Sequence, residues 1–261
     1  MKRYPLWLAG WLLIGVAVQA AEAPSDKSSG AEIEASLIAL AKDEEATRFE
    51  RLNAMYRLAK RRTPKAVAVL MELATSETGR VQSDAVFQLG RAQSKKALPL
   101  LRKLCAHKDD FVRAHAAAGL GWLPDIKSVP VLVTLVWEDG HASVRENAAR
   151  SLGYIGGKKA LDALHGALYD EHHNVRYNVV LALKRLKHPS SAPLLQRVID
   201  EYPWCFSITA DEARKTIELI NTEAKRKADE ARKRAKRKRG PGAGIDRGAR
   251  MVATDRERIR E

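Results

Sequence analysis

Leucines recur along this chain at a fixed interval. Leu58, Leu89, Leu120, Leu152 and Leu183 stand 31 or 32 residues apart, and each closes a run rich in Ala, Val or Met. Apolar residues three and four apart put one face of a helix against a core. A second run keeps the same register: Ala66-Val67, Ala97-Leu98, Ser128-Val129, Ala160-Leu161 and Ser191-Ala192 align. Pro99, Pro130 and Pro193 fall at one position of that run, where the other copies have Ala68 and Asp162. Proline is tolerated in the first turn of a helix, where its missing N–H would have no partner. The recurring proline therefore predicts the start of a second helix. The pattern predicts an all-α chain, an α-solenoid of five helix pairs over 47–201. A single pair cannot bury its apolar face, but a stack of pairs can.

Finer features follow the same period. Gly90, Gly121, Gly153 and Gly156-Gly157 are expected to close the first helices as left-handed caps. Ala116, Ala117, Ala118, Ala148 and Ala149 are expected to let neighbouring first helices approach closely. Phe111-Val112-Arg113, Ser143-Val144-Arg145 and Asn174-Val175-Arg176 open three of the copies.

The order Val-Arg, Ala-Ala, Leu-Gly, then an Ala-Leu second helix, resembles the short HEAT repeats of the phycobilisome-lyase type. The resemblance covers about 47–201. The copy at 47–75 departs most, with Arg51-Leu52 in place of Val-Arg. The family's period is usually longer. Bilin attachment does not follow from the repeat alone, because fold does not carry function. The HEAT-like deoxyhypusine hydroxylases hold iron with paired His-Glu motifs, and no His-Glu dipeptide occurs here.

The flanks extend the helical picture. Ile33, Leu37, Ile38 and Leu40-Ala41 predict an N-terminal cap helix within 31–46. Ala213, Ile217, Leu219 and Ile220 predict a C-terminal cap within 206–222. At the other end of the chain, Lys2-Arg3, the uncharged apolar run 6–18 and Val18-Gln19-Ala20 read as a signal peptide, 1–20, cleaved after Ala20. Its apolar run is too short to span a bilayer, although an uncleaved run would leave an anchor. Residues 21–30 are polar and expected to be flexible. Export predicts a periplasmic or secreted protein.

Composition changes the picture mainly through charge. The 261 residues have a net charge of +14. Residues 222–261 hold 15 Lys/Arg against 7 Asp/Glu, or +8, while 21–221 carries only +4. The repeat body is therefore nearly balanced and gives no sign of nucleic-acid binding. The tail, 223–261, clusters Lys225, Arg226, Lys227, Arg232, Lys233, Arg234, Lys236, Arg237, Lys238 and Arg239. The stretch 209–239 can form one helix ended by Gly240-Pro241-Gly242, with disorder expected beyond. These cations suit an anionic membrane or envelope polymer. Salt-dependent nucleic-acid binding is the alternative. The cysteines, Cys105 and Cys205, lie too many repeats apart for a disulfide and are expected to be free.

Candidate binding residues lie on repeat registers. Lys60, Arg91, Trp122, Tyr154 and Arg185 share a position just after the first-helix leucine. They read as a cation–ring ridge for a protein partner, or as side chains shielding a turn. On the second helices Arg102, Lys103, Thr134, His165, Gln196 and Arg197 vary in chemistry, as a surface tailored to a partner would. Arg113, Arg145 and Arg176 are expected to form an architectural ladder to carbonyls and to acids such as Asp109, Asp139 and Asp170. His172-His173 sits at a turn without the spacing of a zinc or iron site. Gly153 to Lys159 lacks the phosphate-loop spacing. No cofactor, metal or catalytic constellation emerges. The reading is a non-enzymatic protein-binding scaffold, with a lyase-type or enzyme-accessory role as the alternative.

Overall fold

A computed structural model describes residues 29–201 and 207–239. The signal-peptide region, Cys205 and the segment after 239 lie outside the described residues. Twelve α-helices and no strand are found among those described. They are α1 Gly30–Lys42, α2 Arg48–Arg61, α3 Pro64–Ser76, α4 Gly79–Arg91, α5 Leu98–Leu104, α6 Asp110–Trp122, α7 Val129–Glu138, α8 Ala142–Ile155, α9 Lys158–Gly166, α10 His173–Leu186, α11 Ser191–Glu201 and α12 Ser207–Arg239. Five consecutive pairs run from α2/α3 to α10/α11, which bears out the expected all-α, α-solenoid class. None of the helices is long and apolar enough to cross a membrane.

The chain divides into two compact units at Leu123/Pro124. In the N-terminal unit the first helices α2, α4 and α6 pack in succession, with α3 and α5 against them and α1 as a cap. In the C-terminal unit α8, α10 and α12 form the corresponding row, flanked by α7, α9 and α11.

The repeat leucines are the core. Leu58, Leu89, Leu120, Leu152 and Leu183 are each 0% exposed. Burying one leucine fully is worth about 1.5–3 kcal/mol. Ala66, Ala97, Ser128, Ala160 and Ser191, the aligned small residues of the second run, are equally buried. Prolines mark second-helix starts where they occur. Before Pro99 and Pro130 the chain makes a short 3-10 turn, and the α-helix begins one residue ahead of the proline. In the copies with Ala68 and Asp162, the helix begins about a turn earlier, at Pro64 and Lys158. A proline in the second turn would lose a helical N–H bond and so forbids that earlier start.

The glycines bear out the expectation at Gly156-Gly157, with φ of 73° and 90°, and correct it elsewhere. Gly90, Gly121 and Gly153 lie inside helices, not at left-handed caps. A Cβ on Gly90 would lie 2.6 Å from Gly119 Cα, and one on Gly153 would lie 2.5 Å from Ala182 Cβ. Both residues are spacers that let neighbouring first helices touch. The left-handed positions, one repeat or two apart, are Arg62 (φ 55°), Gln93 (φ 53°), Gly156 (φ 73°) and Lys187 (φ 50°). Only one of the four is glycine, so the period of the cap is invisible in residue type.

Candidate functional site: a basic and aromatic hollow

The arginine ladder is architectural, bonding carbonyls and an acid of neighbouring turns as expected. Arg113 Nη1 donates to the carbonyls of His107 (2.9 Å) and Lys108 (3.0 Å). Arg145 Nη1 donates to Asp139 O (2.8 Å), and Arg176 Nη1 to Asp170 O (2.7 Å) and Glu171 O (2.9 Å). Each guanidinium thus ties down carbonyls just past the preceding second helix, where no helical donor remains. Two residues missed in the sequence belong to the row. Gln82 Nε2 donates to Ala74 O (3.1 Å), and Arg51 Nε to Ala41 O (3.1 Å). Arg51 is therefore in register, not a departure from it. The acids serve in more than one way. Asp109 caps α6 by accepting from the Phe111 and Val112 N–H groups. Asp170 binds the next copy's predecessor: Arg145 Nε and Nη2 reach its two oxygens at 2.7 and 3.0 Å. Both side chains of that pair are buried, at 7% and 8% exposure. The Asp170 hydrogen bonds hold the Arg145 guanidinium even more firmly protonated than usual.

The predicted ridge is found at the C-terminal ends of first helices. Lys60, Arg91 and Arg185 each lie in a last turn, where the helix dipole favours a cation. Each also lies over a tyrosine ring. In the C-terminal unit Arg185 stands 4.0 Å above Tyr154. In the N-terminal unit Lys60 (4.6 Å) and Arg91 (4.9 Å) share Tyr56, a ring outside the predicted register. Hydrogen bonding from Lys60 is the main reason the Tyr56 phenol is pulled below its usual range. Trp122 lies edge-on to Phe87, with centroids 5.1 Å apart and planes at 76°, and against Gly90.

Arg62, Arg91, Gln93 and Trp122 line a shallow hollow of about 310 Å³. Its charge balance is distinctive. Four acids of this unit, Glu34, Glu72, Glu77 and Asp84, pair with Arg61, Lys42, Arg51 and Arg48. Lys60, Arg62 and Arg91 are exposed and form no ion pair among the described residues.

The second-helix candidates are scattered in use. Arg102 and Lys103 lie on α5. Thr134 bonds back to Pro130 O, and Gln196 and Arg197 bond Asp200 and Glu201 along their own helix. His165 Nε2 lies 2.9 Å from the buried Ser191 hydroxyl, and burial lowers its pKa. His172 and His173 stack at 4.9 Å, and among the described residues no group of His, Cys, Asp or Glu could hold a metal. Cys105 is free and buried, which pushes its thiol up to about 12.

The basic cluster continues α12 without a break to Arg239. Ala213, Thr216 and Ile220 anchor the helix, whereas 225–235 and Arg237 are exposed. Arg226 is engaged by Glu223 (2.8 Å) and Glu230 (3.0 Å). Beyond Glu230 the helix contains only Ala, Lys and Arg. The side chains of Lys236, Lys238 and Arg239 lie outside the description.

The family model for HEAT repeats matches residues 74–150 and 137–205. The chain belongs to the HEAT-repeat family. No curated protein matches it. Among solved structures it is similar to an engineered protein, with 22% identity, a TM-score of 0.50, and 73% of this chain and 97% of that one covered. It is also similar to YibA of E. coli, with 15% identity, a TM-score of 0.50, and 85% and 99% covered. The complex of CpcE and CpcF of phycocyanin lyase from Nostoc sp. matches with 17% identity and a TM-score of 0.42, covering 76% and 98%. These likenesses are of fold.

Proposed function

We propose that this HEAT-repeat chain is an exported, non-enzymatic scaffold. It binds a protein partner at the first-helix ends and meets anionic surfaces through the basic end of α12. The observation that supports partner binding is the set Lys60, Arg62 and Arg91 near Trp122, which forms no ion pair among the described residues, while Glu34, Glu72, Glu77 and Asp84 pair with other cations. A repeat whose architectural donors end on backbone leaves its exposed registers for recognition. The α12 end supports the second contact, since a polybasic segment gains about 1 kcal/mol per cation near an anionic surface.

The test is photo-crosslinking in intact cells from a benzoylphenylalanine placed at Gln93. Defined partner adducts are expected, and the Arg91→Glu variant should lose them. Adducts unchanged by Arg91→Glu would defeat the reading of this surface. Mass spectrometry of the same envelope-purified chain should give an N-terminus at Ala21 or within three residues of it. Binding to anionic vesicles should weaken steeply with salt and largely vanish when 225–261 is removed.

A further inference from the structure

The hollow in the N-terminal unit narrows the chemistry of the partner, given the scaffold reading above. Its residues come from three successive first-helix ends. Arg62 belongs to the end of α2, Arg91 and Gln93 to the end of α4, and Trp122 to the end of α6; Tyr56 and Lys60 of α2 adjoin the lining through Arg91, which stands over the Tyr56 ring. Packed helices lie roughly 8–10 Å apart. The site therefore extends about 20 Å, which an extended chain covers with roughly six residues at about 3.3 Å each. A single small anion would use only a fraction of it.

Charge sets the sign of the ligand. Lys60, Arg62 and Arg91 have no acid from this chain among the described residues, while the neighbouring Arg61, Arg51 and Arg48 do. Arginine offers a planar fork that matches a carboxylate with two parallel hydrogen bonds. Arg62 and Gln93 hold left-handed conformations one repeat apart at successive first-helix ends, φ 55° and 53°, the same turn that Lys187 makes in the C-terminal unit.

The rings argue against a nucleic acid. Single-stranded nucleic acids are held by stacking bases on open aromatic faces. Here Lys60 and Arg91 stand over Tyr56, so among the lining residues only Trp122 offers a ring, one platform rather than the succession that a strand of bases needs. A carboxylate needs no ring face. It can bridge the cations that already stand over Tyr56, while an apolar neighbour in the same segment lies on Trp122.

We propose that this hollow is the docking site for an extended acidic segment of a partner protein. Its carboxylates are held by Lys60, Arg62 and Arg91, and an apolar side chain of the segment rests on Trp122.

The probe is a twelve-residue peptide with eight glutamates, one leucine and a central benzophenone, photo-crosslinked to the full mature chain and mapped by mass spectrometry. Adducts are expected in 56–62, 89–93 and at Trp122, in addition to any on the basic end of α12. Each cation removed should lower the yield at the hollow about tenfold. Lys60→Glu with Arg91→Glu should therefore abolish hollow adducts while α12 adducts and the helical circular-dichroism spectrum remain. Wild-type adducts confined to α12, or hollow adducts indifferent to the double variant, would overturn the proposal. So would an oligothymidylate of equal charge that displaces the peptide from the hollow more effectively than unlabelled peptide does. If the peptide fails while Arg91→Glu still abolishes crosslinks in cells, the partner surface stands and only its acidic character is wrong.

Discussion

The row Arg51, Gln82, Arg113, Arg145 and Arg176 and the row Lys60, Arg91, Trp122, Tyr154 and Arg185 follow the same spacing, yet they end in different places. The first row ends on backbone carbonyls left over at the ends of second helices. The second stands at the surface, with its cations over tyrosine rings. The difference lies in what surrounds each position. A carbonyl without a helical partner must find a donor whatever the repeat, so the first row keeps one chemistry, a long side chain with N–H groups. A helix end in water imposes only a mild preference for cations, so the second row drifts among Lys, Arg, Trp and Tyr.

The largest effect is expected where the first row is most buried. Arg145→Ala leaves Asp170 charged at 8% side-chain exposure and removes the donor to Asp139 O. Breaking a buried pair from one side is destabilising by about 3–5 kcal/mol. A urea titration should show that loss, and a value under about 1 kcal/mol would reduce the row to a surface feature.

The next test addresses the spacing on which both rows depend. In Gly153→Val the new Cβ would fall 2.5 Å from Ala182 Cβ and 2.7 Å from its Cα. Helix α8 must then move from α10, at a loss of roughly 2–3 kcal/mol. Gly140→Val is the control for volume, since nothing lies within 4 Å of its Cβ position. Equal melting temperatures for the two variants would refute the spacer role.

These two sites also measure how much was legible beforehand. The leucine period and the proline register revealed the helix pairs, because core burial and a missing N–H act on residue type directly. The arginine copies were legible as a ladder for the same reason. Arg51 and Gln82 were not, since Gln82 performs the arginine's task with a different residue and Arg51 lacks the preceding valine. Of the glycines expected as caps, Gly156-Gly157 are left-handed; the other such positions fall to Arg62, Gln93 and Lys187, while Gly90 and Gly153 answer a packing demand that exists only between repeats. The hollow was half legible. Lys60, Arg91 and Trp122 were in register, but Tyr56, Arg62 and Gln93 join them only in space.

A smaller effect is expected at Gln82. Its amide reaches Ala74 O from a position that is 7% exposed. Gln82→Ala removes the donor and leaves that carbonyl without it, a loss of about 1–3 kcal/mol. Gln82→Arg restores the residue type of the other copies and should recover most of the stability in the same urea titration. If Ala and Arg are equally destabilising, the row is a coincidence of spacing rather than a shared carbonyl clamp.

The smallest effect belongs to the second row. Lys60 and Arg91 are exposed, unpaired by any described acid, and close to helix C-termini. A cation over a ring at an exposed site contributes about 0.5–1 kcal/mol, and a charge near a helix end about 0.3–1 kcal/mol, which salt screens. Crowding the two cations and Arg62 around one hollow opposes both gains through mutual repulsion. Lys60→Ala and Arg91→Ala should therefore each change unfolding free energy by less than about 1 kcal/mol. In low salt the double variant should lose more than the two single losses combined, because the repulsion that either single change relieves is relieved only once. Raising the salt should bring the variants together, as screening weakens both the dipole contribution and the repulsion. A loss of several kcal/mol at either position would place Lys60 or Arg91 with the architectural row, and the hollow would then be a consequence of folding rather than a surface kept for a partner.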